Sequence, residues 1–146
     1  MKSHRAFFPR HHRALAFAFL SAVAATGCSG SEKHSMSASA KNTSGQGTVE
    51  TRMDNNGNTE VELLVKHLSA PSHVATDASI YVVWIRPRNG EIQNVGALQV
   101  SDDLVGKFNA TTPHHAFTLM VTPEPSARMS QPTHEAVFTS EVAMAD

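Results

Sequence analysis

Five residues in the last third of the chain carry side chains that could hold a soft metal: His114, His115, Met120, Met129 and His134. Imidazole and thioether donors together suit copper, and such a set in an exported chain would make it a periplasmic copper-binding protein. The spacing is loose. His114 and His134 flank one strand-like run, so they fall toward opposite ends of it, a pattern that fits surface histidines better than a ligand set. A blue-copper site also needs a thiolate, and the only cysteine, Cys28, stands far from this group. Of the nine histidines, His4, His11 and His12 precede Cys28, and His34 lies with Met36 in a polar stretch read as solvated tail.

Signs of catalysis are thinner still. The chain has no G-x-S-x-G turn, no H-E-x-x-H and no glycine-rich phosphate loop. Asp102-Asp103 sits beside Ser101, in a segment that reads as a solvated turn. The expectation is therefore no enzyme, no catalytic residue and no cofactor.

The elements that must position these side chains are short β-type runs. Thr59 to Leu68 alternates Glu60, Glu62 and Lys66 with Val61, Leu63 and Val65, the period of a half-buried strand. Ahead of it, Thr48 to Met53 is closed by Asp54-Asn55-Asn56-Gly57-Asn58, whose Asn and Gly residues tolerate the positive φ of a hairpin turn. Ile80 to Ile85 is apolar on both faces, as a strand covered on both sides requires. Arg86-Pro87-Arg88-Asn89-Gly90 turns the chain again. Asn94–Val100, Val105–Thr111, Phe117–Thr122 and Ala136–Glu141 follow. About seven strands in residues 48–146 predict an all-β domain, a single antiparallel β-sandwich of immunoglobulin or fibronectin-III type. Its expected core is Trp84, Phe108, Phe117, Leu119, Val121 and Phe138. Tyr81 and Trp84 must point to opposite faces, with Trp84 in the core and Tyr81 partly exposed as a contact residue.

Cys28 has a different significance. Lys2, Arg5, Arg10 and Arg13 precede an uncharged apolar run from Ala14 to Ala25, and Thr26-Gly27-Cys28 follows. The run has 12 residues, within the roughly 7–15 of a secretory h-region and short of the roughly 20 that a spanning helix needs. This order resembles the signal peptide of a bacterial lipoprotein, in which the cysteine is lipidated and becomes the N-terminus. The resemblance implies a signal peptide over 1–27 and a covalent lipid on Cys28. Ala22-Val23-Ala24 is also an A-x-A site, where ordinary signal peptidase would leave Cys28 as a free thiol. An unpaired thiol in an oxidising compartment favours lipidation. Two or three acyl chains would hold the protein in the membrane essentially permanently. Ser29 replaces the aspartate that retains some lipoproteins in the inner membrane, which favours the outer one where a cell has two.

Removing residues 1–27 takes four of the 12 basic residues and none of the 13 acidic ones, so the mature charge is −5. That excludes nucleic acid as the natural partner and leaves another envelope protein or peptidoglycan-associated assembly. Residues 28–47 are rich in Ser and Gly without aromatic or β-branched aliphatic residues, and predict a disordered tether to the domain at 48–146. Loops 69–79 and 123–134, or an exposed strand edge, are the expected contact surfaces.

From about Ala78 onward the chain resembles the extracytoplasmic domain of anti-sigma-K factors. The positions are Tyr81-x-x-Trp84, Asn94-Val95-Gly96, Gly106-x-Phe108, Phe117-x-Leu119-x-Val121-Thr122-x-Glu124-Pro125 and Gln131-Pro132-Thr133. The resemblance implies a sandwich outside the membrane. In that family a transmembrane helix joins the sandwich to a cytoplasmic sigma-binding domain; this chain shows neither, so sigma-factor binding does not carry over.

Overall fold

The computed structural model describes residues 30–39 and 45–144. Cys28 and the expected signal peptide lie outside the described residues. Among the described residues ten strands form two five-stranded antiparallel sheets. The first sheet runs β1 (Glu32–Ser35), β3 (Gln46–Met53), β4 (Thr59–Lys66), β8 (Gly106–Thr112), β7 (Gln99–Val100). The second runs β2 (Ser37–Ala38), β10 (Phe138–Ala143), β9 (Ala116–Glu124), β5 (Ile80–Pro87), β6 (Gln93–Ala97). One helical turn, α1 (Pro71–Val74), lies between β4 and β5. Without β1 and β2, the strand order matches the ABED and GFCC′ sheets of an immunoglobulin-type sandwich. The all-β sandwich expected from the sequence is what forms, with ten strands among the described residues where about seven were expected.

Period-2 alternation builds the core. In β4, Thr59, Val61, Leu63 and Val65 are buried against the second sheet, and Glu62 and Lys66 face water. Across from them, Val83, Ile85, Phe117, Leu119, Val121, Phe138 and Val142 fill the space between the sheets. The first sheet's open face carries paired charges, Lys33 with Glu50 at 3.7 Å and Arg52 with Glu60.

Both sides of the sandwich are closed by a strand that changes sheet, and both crossings depend on a glycine. On one side β1 pairs with β3, Met36 crosses the gap, and β2 pairs with β10. On the other, β6 pairs with β5, Leu98 crosses, and β7 pairs with β8. Met36 N donates to Gly47 O and Leu98 N to Tyr81 O, each at 2.9 Å. Gly47 and Gly106 flank Val65 in one cross-strand row. A Cβ on Gly47 would stand 2.8 Å from Met36 Sδ, and one on Gly106 2.5 Å from Leu98 Cδ2. Each crossing side chain thus occupies the space that a larger residue would fill.

Three expectations need correction. Residues 28–47 are not a disordered tether throughout: Glu32–Ala38 forms two strands, and the domain starts well before residue 48. Composition missed this because backbone pairing to β3 and one buried methionine suffice, and neither leaves an apolar pattern. His34 is partly buried, 3.7 Å from Glu32. The run Asn94–Val100 is two strands in different sheets, because a bulge opposite Val83/Trp84 and Gly96 at φ 135° bend it toward the crossing at Leu98. Finally, Tyr81 and Trp84 do face opposite ways, but Tyr81 belongs to the core between the sheets. Trp84 is buried on the outer face of the second sheet.

Met36 is 9% exposed. Met36→Ala is predicted to cost roughly 2–3 kcal/mol, read as a lower urea midpoint at unchanged m-value. If 28–47 were a solvated tether, the substitution would have no effect.

Candidate functional site

The antiparallel strands give the sandwich two unlike ends. One carries the tight turns 54–58, 88–92 and 113–115, here called the turn end. The other carries the loops 67–79, 101–105 and 125–137 and is the loop end. The loop 125–137 folds back as a strap over the outer face of the second sheet. Asn94 of β6 fastens it, its Nδ2 donating to Ala127 O at 3.0 Å and to Met129 O at 2.7 Å.

Beneath the strap, Glu124 is wholly buried at the end of β9. A carboxylate without water must be met by donors, and here they come from both sheet and strap. Thr122 Oγ1 donates to its Oε1 at 2.5 Å and accepts from Trp84 Nε1 at 2.8 Å. Thr133 N donates to both oxygens at 3.0 and 3.2 Å, and Thr133 Oγ1 donates to Oε2. The chain of contacts continues outward. Thr133 Oγ1 meets His134 Nδ1 at 3.1 Å, and His134 Nε2 lies 3.0 Å from Asp77 Oδ1. Ser79 adds two bonds to the strap's root, from its N to Glu124 O and from its Oγ to Pro125 O. Loops 69–79 and 123–134 are therefore one joined surface. Thr133 directs its hydroxyl proton to Glu124, and the Thr-His-Asp series ties the strap to the loop before β5.

At the other side of the loop end, β7 and the turn before β8 present Val100 and Leu104, the exposed large hydrophobic residues among those described. Leu104 has φ 56°, as has His67 next to it. A left-handed bulky residue costs roughly 1–3 kcal/mol and is kept only where its surroundings impose it. Here Leu104 N donates to Ser101 O at 2.9 Å, and Leu104 O accepts from Leu68 N at 3.1 Å. A groove of about 490 Å³ runs beside it, lined by Gln99, Val100, Ser101, Asp103, Val105 and Lys107. Asp103 of the Asp102-Asp103 pair thus lies at this surface. Tyr81 anchors the loop from below, its hydroxyl donating to Ser69 O at 2.8 Å.

The five metal-ligand candidates are dispersed. His114 and His115 are at the turn end, where His115 Nε2 bonds Gly57 O at 2.7 Å. His134 is at the loop end, separated from them by the nine residues of β9, about 30 Å of strand. Met120 lies between, opposite Trp84 and Thr139 on the outer face, and Met129 is in the strap. Among the described residues no group of three or more His, Cys, Asp or Glu could hold a metal ion.

In the sequence Glu124 and Thr133 stand out only as positions of the resembling motif, and Asp77 only as part of loop 69–79. The available signal was a lone acid ending an apolar strand, with Thr122 two residues before it on the same face. No family model matches the chain and no curated protein matches it.

Two outcomes follow. Glu124→Gln keeps the shape but turns an acceptor into an amide donor facing Thr133 or Thr122. It should cost about 1–3 kcal/mol and shift the emission of Trp84, the only tryptophan, to the red as the strap loosens; unchanged stability and emission would contradict the latch. Burial pushes the Tyr81 phenol up from 10.0 to about 12. Because the folded value is the higher one, this contribution to stability is complete below pH 10 and lost as pH rises to about 12. Tyr81 is the only tyrosine, so phenolate absorbance should titrate near 12 in the native protein and near 10 after denaturation.

Proposed function

We propose that this chain is a lipid-anchored β-sandwich protein of the cell envelope. It binds another envelope protein through its loop end and performs no catalysis. The anchor is the acyl group, palmitate for example, carried on Cys28, following the order of basic, apolar and small residues before that cysteine. Where the cell has two membranes, the protein faces the periplasm from the outer one. Among the described residues no helix is long and apolar enough to cross a membrane, so the lipid is the attachment this reading relies on. The sandwich itself is a module like the extracytoplasmic domain of anti-sigma-K factors.

The observation that carries the binding reading is Leu104. It is 42% exposed, left-handed, and next to exposed Val100 in a turn fastened to loop 67–79. An apolar side chain held outward against its backbone preference is a feature that contact with a partner would use. On the other side of the loop end the strap, tied down from Asn94 to Thr133, adds a second fixed surface.

Leu104→Asp leaves the core untouched and tests this directly. A protein retained from detergent-solubilised envelope by the wild type should be retained about tenfold less by the variant, the loss expected for a contact worth about 1.4 kcal/mol. Identical retention by both would remove the loop end as the binding surface.

A further inference from the structure

The position of β1 determines how an anchored sandwich must stand. Cys28 is four residues before Glu32, the first residue of β1. Four residues span at most about 14 Å. Glu32 pairs with Thr51, and β1 runs from there toward the loop end, since Ser35 pairs with Thr48. The chain therefore enters the sandwich near the turn end. Beyond Thr51, β3 continues through Met53 into the turn 54–58, which adds about 10 Å in the direction of the anchor. The slack that remains is about 4 Å, less than the headgroup layer of a bilayer, about 5–7 Å per side.

We infer that the turn end of the sandwich, formed by turns 54–58, 88–92 and 113–115, rests on the lipid headgroups and that the loop end faces away from the membrane. The inference rests on lipidation of Cys28. The surface has the composition that this position requires. Asn55, Asn56, Arg88, Asn89 and Glu91 are exposed, and among the described residues the exposed large hydrophobics, Val100 and Leu104, lie at the other end. Such a surface meets phosphate and polar headgroups without inserting among acyl chains. The carboxyl of Asp54 is already occupied by Asn56 N and Asn58 N, both at 2.8 Å, and by Asn58 Nδ2 at 3.1 Å. Those bonds, from Asn58 first, hold its pKa below the ordinary carboxylate value. The turn end is also internally braced, by His115 to Gly57, Met144 to His115 and Arg88 to Ala116. It meets the surface as a rigid base.

Lipidation blocks the only native thiol, which makes the test specific. Asn55→Cys and Gln131→Cys each introduce one free thiol, at the turn end and in the strap, for a fluorophore. The full chain is processed in cells, and the purified lipoprotein is placed in phosphatidylcholine vesicles containing a nitroxide-headgroup lipid. Emission from position 55 should be quenched several-fold more than emission from position 131. Equal quenching, or stronger quenching at 131, overturns the orientation while leaving the anchor intact. A variant that labels at two thiols and fails to float with the vesicles shows an unlipidated Cys28, and the orientation falls with the anchor.

Discussion

A carboxylate sealed from water at the end of a strand dictates much of the rest. Glu124 has to be surrounded by donors, and the sheet alone supplies one, the Thr122 hydroxyl. The others come from Thr133, nine residues further on. The chain between must therefore return over the sheet, and in doing so it covers Trp84. The outward neighbours His134 and Asp77 extend the same series of contacts to the loop that leads into β5. One buried carboxyl group thus converts two loops into a single surface.

The sheet crossings have a comparable effect at the edges of the sandwich. Met36 and Leu98 each pass between sheets beside a glycine, and Gly47 and Gly106 flank the same residue, Val65. The strands that these crossings place at the edges are short, β6 having five residues, β1 four, and β2 and β7 two each. Short edges give other chains little to pair with. This shifts the functional reading from strand edges, one of the two surfaces expected from the sequence, to the loop end. Starting the domain at Glu32 rather than 48 also shortens the link to Cys28 to a length that constrains orientation.

Much of the fold was legible because strand period is written in side chains. Val61, Leu63 and Val65 alternate with Glu60, Glu62 and Lys66, and Asn-Gly at 56–57 marks the hairpin. What was not legible depends on backbone pairing or on distant partners. Glu32–Ala38 has no apolar alternation, and only its pairing to β3 and β10 makes it strand. Trp84 was assigned to the inter-sheet core because it is large and apolar. Its parity puts it on the other face, where the strap crosses beside its neighbour Asn94. Of the site residues, the five metal-ligand candidates were chosen by chemical type, and the fold places His114 and His115 far from His134. The acid that organises the loop end was visible only as one glutamate in a resembling motif. Sequence spacing does not show which hydroxyls a buried carboxylate will meet.

In the proposed function, location, attachment and orientation all depend on lipidation of Cys28. Mass spectrometry of the N-terminal peptide of the mature protein, taken from membranes of cells that express the full chain, tests it most directly. The predicted result is a peptide beginning at Cys28 with a mass increased by diacylglycerol. A peptide beginning at Ala25 with an unmodified thiol would contradict the account.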